Sequence, residues 1–140
     1  MRERAVQRWR PGTLAGLFVV VIAAADEAAY GLALYQQGGP VDSRVFFVAS
    51  FIGALGALGL VGLLASSPVV RSLAYGFTAA GGVALGILGA FSIGLPLLVV
   101  GGLSVYSLGH VRGRSWMLVI SASATAILVL IAGIACTSLP

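Results

Sequence analysis

The longest uncharged stretch of the chain decides its fold. It runs from Ser72 to Gly109 and reads SLAYGFTAAGGVALGILGAFSIGLPLLVVGGLSVYSLG, 38 residues without Asp, Glu, Lys or Arg. As one straight helix it would extend about 57 Å at 1.5 Å per residue. That is nearly twice the hydrocarbon core of a bilayer, which is roughly 30 Å thick. Tilt alone does not absorb such an excess, so the stretch is predicted to form two helices joined by a tight turn.

The segment FSIGLP, residues 91–96, is the predicted hinge between these two helices. Gly94 is able to leave the helical region of backbone conformations, and Pro96 suits the first turn of a helix. We therefore predict the third and fourth spans at about residues 73–91 and 93–109. The fourth is short for a bilayer crossing, so a re-entrant hairpin with four full spans is the alternative.

The rest of the chain has the same membrane-like composition. Of the 140 residues, 59% are hydrophobic and 9% are charged, whereas globular proteins carry roughly 25% charged residues. A water-soluble domain of this length does not bury that much apolar surface. Further apolar runs of spanning length lie at about residues 13–35, 45–66 and 116–137. The prediction is an all-α, polytopic bundle of five transmembrane helices, a single membrane domain over 13–138 after a basic segment at 1–12.

The charges predict how this bundle is oriented. All eight basic residues are arginines at the edges of apolar runs, which is typical of a membrane protein and not of a nucleic-acid-binding one. With five spans and a cytoplasmic N-terminus, seven lie inside and only Arg44 lies outside, as the positive-inside bias predicts. With four spans, five arginines would lie inside and three outside. We expect a plasma membrane, and the arginine-only, alanine- and glycine-rich usage indicates a bacterial one.

Small residues gather on one side of two predicted spans, where they would let helix backbones approach closely. They are Gly53 and Gly56 in the second span and Ala79, Gly82, Gly86 and Gly89 in the third. Packing inside the bundle is the favoured interpretation. The alternative is an interface with a second copy of the chain or with another membrane subunit.

The loop HVRGR, residues 110–114, and the segment before the third span hold the other notable charges. Arg71, Arg112 and Arg114 are interpreted as setting the topology, with binding of anionic lipid headgroups as the alternative. His110 has no Cys, Asp or Glu nearby, so we expect no metal site. Cys136 is the one cysteine. No catalytic or nucleotide-binding motif is present, and we expect neither enzymatic activity nor a cofactor.

Asp26 and Glu27 are the most unusual residues, because they lie near the middle of the first predicted span. A charged side chain at that depth costs at least about 2.5 kcal/mol. The other spans offer these acids no Lys, Arg or His as a partner. Tyr30 follows at i+4 from Asp26 and i+3 from Glu27, so its hydroxyl is within reach of either.

Three interpretations of the acids compete. They are a site that binds protons or cations, an anchor for a subunit that supplies the missing positive charge, or the remains of a cleavage site after Ala25, since the basic start, short apolar core and AAA resemble a signal peptide. Apolar sequence resumes at once, which favours an uncut span. Because spans two to five contribute only hydroxyl groups, a non-enzymatic subunit or assembly partner is the preferred function. A small proton- or cation-coupled transporter or channel is the alternative.

Overall fold

The computed structural model of the chain describes residues 11–38, 42–89 and 94–138. These parts contain five α-helices, and the prediction of an all-α chain with five helices is confirmed. The helices are α1 (Pro11–Gln37), α2 (Ser43–Leu64), α3 (Pro68–Leu88), α4 (Gly94–Gly109) and α5 (Trp116–Ser138).

Four of these helices, α1, α2, α3 and α5, are long and apolar enough to cross a membrane. The fourth helix, α4, is apolar but has only 16 residues, about 24 Å at 1.5 Å per residue. By helix length and hydropathy the chain is a multi-pass membrane protein, with four helices of spanning length and a shorter fifth.

Several predicted features lie outside the described residues. They are the basic segment up to Arg10, which includes Trp9, and the first part of the hinge, residues 91–93. The second part of the hinge is described. Gly94 begins α4, and its N–H donates to the carbonyl of Gly89 at 2.7 Å. Pro96 lies in the first turn of α4, where its missing N–H costs no helical hydrogen bond.

The first four helices form a closed ring of antiparallel neighbours. Helix α1 packs against α2 and α4, and α3 completes the ring by packing against α2 and α4 on the other side. Helix α5 lies outside this ring against α3, and it also touches α2. Helix α3 therefore has neighbours on three sides, which explains why it carries the largest set of buried residues among the helices.

The closest crossing in the bundle joins α3 and α4. A Cβ atom added to Gly82 would lie 3.0 Å from both the carbonyl oxygen of Leu97 and the backbone nitrogen of Gly101. Two helix backbones are thus in direct contact, which is possible only where both helices carry very small residues. Gly86 allows the same approach one turn later, where Leu98 packs over it.

A second close contact holds the ring together near the opposite end. Tyr75 of α3 is fully buried, and its ring lies over Gly62 of α2. Its hydroxyl lies against Gly16 of α1, so that a methyl group on Gly16 would overlap it. One aromatic side chain therefore connects three helices, because two glycines leave it a slot.

Arg44 links the start of α2 to the end of α5. Its Nε donates to the carbonyl oxygen of Thr137 at 3.2 Å, one of the carbonyls that a helix end leaves without an internal partner. Asp42 caps α2 by accepting from the N–H of Arg44 at 3.4 Å. The arginine predicted on the outer side is thus engaged at a helix terminus.

Candidate intramembrane carboxylate site

Asp26 and Glu27 lie on one unbroken helix, close to the middle of α1. Alanines on both sides favour the helical conformation, because alanine has the highest helix propensity. Asp26 is buried, with 7% of its surface exposed, and Glu27 is half-buried. The two neighbours therefore occupy different environments, as a rotation of 100° per residue allows.

Asp26 belongs to the face of α1 that points into the ring. Val19 and Ala23 lie two turns and one turn before it on nearly the same side of the helix. Both are buried against Val100 of α4, and Val19 also packs over Gly59 of α2. Asp26 continues this buried row between α2 and α4.

Glu27 lies in the groove between α1 and α2. Its Oε1 atom is 4.0 Å from the position that a Cβ atom would take on Gly53. Gly53 has no side chain to cover the carboxyl group, and it is itself exposed. The structure therefore places one predicted small residue of α2 directly beside the second acid.

Each acid has one enclosed oxygen atom without a hydrogen-bond partner in the described parts of the chain. These atoms are Asp26 Oδ2 and Glu27 Oε2. The predicted partner Tyr30 is half-buried one turn further along α1, and its hydroxyl bonds to neither of these two oxygens. Arg44 is bound to Thr137 instead. Burying a polar group without a partner costs roughly 1–3 kcal/mol in proteins, so something further is needed to satisfy these oxygens.

The alignment of α1 with α4 gives the position of the acids relative to α4. Ser107 donates to the carbonyl of Gly12 at 3.4 Å, and Val100 packs beside Val19 and Ala23. Continuing this antiparallel alignment by about one turn brings Asp26 level with the first turn of α4, which begins at Gly94. The positive dipole end of a helix start stabilises negative charge nearby.

The other predicted small residues contact neighbouring helices within the chain. Gly56 faces Ala23 of α1, with 3.3 Å between the added Cβ and that side chain. In α3, Ala79 and Gly82 face Gly101, Gly86 faces Leu98, and Gly89 faces Gly94 at the turn. Among the described residues outside its own helix backbone, the one atom within 4 Å of a Cβ added to Gly53 is the Glu27 Oε1 oxygen.

The other basic residues that the structure describes lie at the opposite end of the bundle from Arg44. Arg71 and Arg112 line one small cleft together with His110. Arg114 is turned away from that cleft, because its Nη1 donates to the carbonyl of Leu108 at 3.2 Å and its guanidinium lies 4.4 Å from the ring centre of Trp116. The three arginines predicted as one group therefore divide into two.

The structure also shows residues that sequence reasoning missed. Tyr75 and its glycine neighbours Gly16 and Gly62 build the slot between three helices, yet nothing in their spacing along the chain marks them as partners. Gly101, at the α3–α4 crossing, stands beside Gly102, which has no neighbouring atom within 4 Å of an added Cβ. The pair looks equivalent in the sequence.

Two carboxyl groups of this kind are able to hold a proton, or to ligate a cation together with water or backbone oxygens. The described residues contain no group of three or more His, Cys, Asp or Glu side chains placed to hold a metal ion. The site is therefore a two-carboxylate one as far as these residues show. No protein-family model, curated protein or solved structure matches the chain, so its function has to be argued from this geometry.

Proposed function

We propose that this chain is a non-enzymatic membrane protein that binds a proton or a small cation at Asp26 and Glu27. The observation that carries the proposal is the position of Asp26, which faces the inside of the helix ring with an enclosed oxygen that no described residue partners. An intramembrane carboxylate is expensive unless it is protonated, paired or hydrated. No basic side chain of the described residues reaches it, which leaves a proton or a bound cation as the simplest partner.

The inward direction of Asp26 is what favours this function over a subunit anchor. An anchoring helix would approach from the lipid-facing surface of α1, and Asp26 is 93% covered by its own chain (7% exposed). The predicted glycine faces of α3 are likewise covered by α4. Transport of the bound ion, as a small proton- or cation-coupled transporter or channel, is the activity we propose for this site.

The positions of the arginines support a cytoplasmic N-terminus. Arg71, Arg112 and Arg114 lie at the end of the bundle where α1 begins, and Arg44 lies at the other end. We propose that the arginine-rich end faces the cytoplasm, as the positive-inside bias requires. The acids then lie at about the depth of the outer start of α4.

A hydrophobic carbodiimide tests the acid site, because such reagents modify protonated carboxyl groups inside membranes. Intact mass of the labelled full chain should show an adduct in wild type and in the control Asp42→Asn, which removes an exposed acid. The adduct should disappear in the double variant Asp26→Asn with Glu27→Gln. Addition of the bound cation, for example sodium or lithium, should slow labelling of the wild type if the site takes cations as well as protons.

Two outcomes would contradict the proposal. Equal labelling of the double variant would show that the reactive carboxyl lies elsewhere, and a purified species that begins at Asp26 would place both acids at a chain terminus. If labelling behaves as expected, flux of protons or sodium into proteoliposomes should be abolished in the double variant. Equal flux in wild type and double variant would limit the function to binding.

A second candidate function, a subunit that binds another helix, is favoured by one surface of α1. Ala24, Ala28 and Gly31 are exposed at helical spacing, and no other described part of the chain comes within 4 Å of a Cβ added to Gly31. Glu27 lies at the edge of this small-residue face. Substitution of Gly31→Leu should release a bound partner or second copy, whereas Gly102→Leu, at an equally open glycine of α4, should not. If Gly31→Leu releases the partner but leaves carbodiimide labelling unchanged, helix binding and ion binding are separate functions.

A further inference from the structure

A second polar site lies at the arginine-rich end of the bundle, away from the two acids. It is a cleft of about 170 Å³ between the loop that joins α2 to α3 and the loop that joins α4 to α5. Its lining residues are Ser66, Pro68, Arg71, His110, Val111 and Arg112. The two loops are far apart in sequence, so the cleft exists only because the ring closes.

The side chains of this cleft offer hydrogen-bond donors and positive charge. Arg71 and Arg112 each carry a guanidinium group, and Arg71 Nε is enclosed without a hydrogen-bond partner in the described parts of the chain. The Nδ1 atom of His110 lies 3.0 Å from the carbonyl oxygen of Tyr106. Since a carbonyl oxygen only accepts, Nδ1 carries the proton in that hydrogen bond, so Nε2 of the neutral ring is an acceptor and the charged donors of the cleft are the two arginines.

No negative charge balances these groups among the residues that the structure describes. The acids of those residues are Asp26 and Glu27 in the middle of α1 and Asp42 at the other end of the bundle. In addition, Ser67 occupies the N-cap position of α3 but makes no side-chain capping bond. The first N–H groups of α3 and its positive dipole end therefore add to the field at the rim of the cleft.

We propose that this cleft binds a phosphate group. Arginine is the side chain best suited to phosphate, because its planar guanidinium donates two parallel hydrogen bonds. The size of the cleft agrees, since about 170 Å³ is well below the roughly 300–1,000 Å³ of sites for larger ligands. The cleft holds one phosphate group, and any larger part of the ligand lies outside it. At the end of a transmembrane bundle, a lipid headgroup and free phosphate are the two sources of that group.

Arg114 provides a matched control within the same loop. It is two residues from Arg112 and carries the same charge, but it is bound to Leu108 and stacked on Trp116. A general attraction of the basic surface to anions would weaken equally when either arginine is replaced. Binding at a specific phosphate site depends on Arg112 and Arg71 and does not depend on Arg114.

The test uses the full chain purified in a maltoside detergent, which contains no phosphate. The unfolding temperature is followed during titration with inorganic phosphate and, separately, with soluble dihexanoyl phosphatidic acid, against sodium chloride of matched ionic strength. We expect the unfolding temperature of the wild type to rise and then saturate as the probe concentration increases. Arg112→Gln and Arg71→Gln should each raise the apparent Kd by about five-fold or more, and Arg114→Gln should leave it unchanged.

The two probes identify the source of the phosphate. A saturable rise with both probes assigns the cleft to phosphate groups in general, and a rise with phosphatidic acid alone assigns it to lipid headgroups. Arg112 is exposed, so the Arg112→Gln variant carries the test even if Arg71→Gln fails to fold. The proposal is overturned if neither probe exceeds the sodium chloride control, or if Arg114→Gln weakens binding as much as Arg112→Gln.

Discussion

Two adjacent glycines of α4 provide the sharpest test of the fold. A Cβ atom on Gly101 would lie 2.7 Å from Cγ2 of Val83, 2.9 Å from the backbone nitrogen of Val83 and 3.1 Å from the carbonyl oxygen of Ala79. Two of these three atoms belong to the backbone of α3 and cannot rotate away. A Cβ atom on Gly102, one position further, would meet no atom of another described helix or loop within 4 Å.

The magnitude follows from comparing the two alanine variants. Each gains about 0.5–1 kcal/mol because alanine favours the helix more than glycine does, and this gain cancels in the difference between them. What remains is the cost of forcing a methyl group between two helices, about 1–3 kcal/mol for an overpacked core. We therefore expect Gly101→Ala to be less stable than Gly102→Ala by about 1–3 kcal/mol, and Gly102→Ala to be at least as stable as wild type.

The free energy of unfolding is measured by titrating SDS into mixed micelles and following helix content by circular dichroism. Gly82→Ala adds a methyl group to the same crossing from α3, where the added Cβ would lie 3.0 Å from backbone atoms of α4. Its free energy of unfolding should fall below that of Gly102→Ala by a similar amount. If Gly101→Ala and Gly102→Ala have equal stabilities, α3 and α4 do not cross at backbone distance, and the reasoning is wrong.

Two further predictions concern aromatic side chains packed against glycine. A methyl group on Gly133 would overlap the ring of Phe47, so Gly133→Ala should be less stable than Gly102→Ala by about 1 kcal/mol or more. In a Phe47→Ala background this difference should become small, and equal differences in both backgrounds would refute the contact. The Tyr75 hydroxyl is enclosed with no partner at hydrogen-bond geometry in the described residues, although the Arg71 guanidinium lies near it, so Tyr75→Phe should keep or raise stability in the same SDS titration, because it removes an unsatisfied group. A loss above about 1 kcal/mol in Tyr75→Phe would show that the hydroxyl makes a hydrogen bond.

Much of the secondary structure could be predicted because the bilayer imposes a length on each apolar helix. The 38 uncharged residues from Ser72 to Gly109 are too long for one crossing, and the structure divides them into α3 and α4 with Gly94 at the start of the second helix. The short length of α4 was also evident from the sequence. Helix ends differ from the predicted ones by a few residues, since capping and turn geometry set them.

The candidate site could be predicted only in part. The depth of Asp26 and Glu27 follows from the sequence, because an α-helix rises a fixed distance per residue. Their direction does not, because the rotation of α1 about its axis depends on which helices pack against it. The structure turns Asp26 into the ring and leaves Glu27 beside Gly53, and this difference favours an ion site over a subunit anchor.

The sequence by itself therefore determined the class of the protein, its helices and the depth of its charges, all of which depend on local composition and on distances along the chain. Only the tertiary structure decided which of two similar residues does what. Gly101 lies at a helix crossing and Gly102 faces open space; Arg112 lines a cleft and Arg114 covers Trp116. Consecutive residues on a helix point 100° apart, and nearby residues of a loop also point in different directions. Which of them is buried or bound depends on contacts with residues distant in sequence.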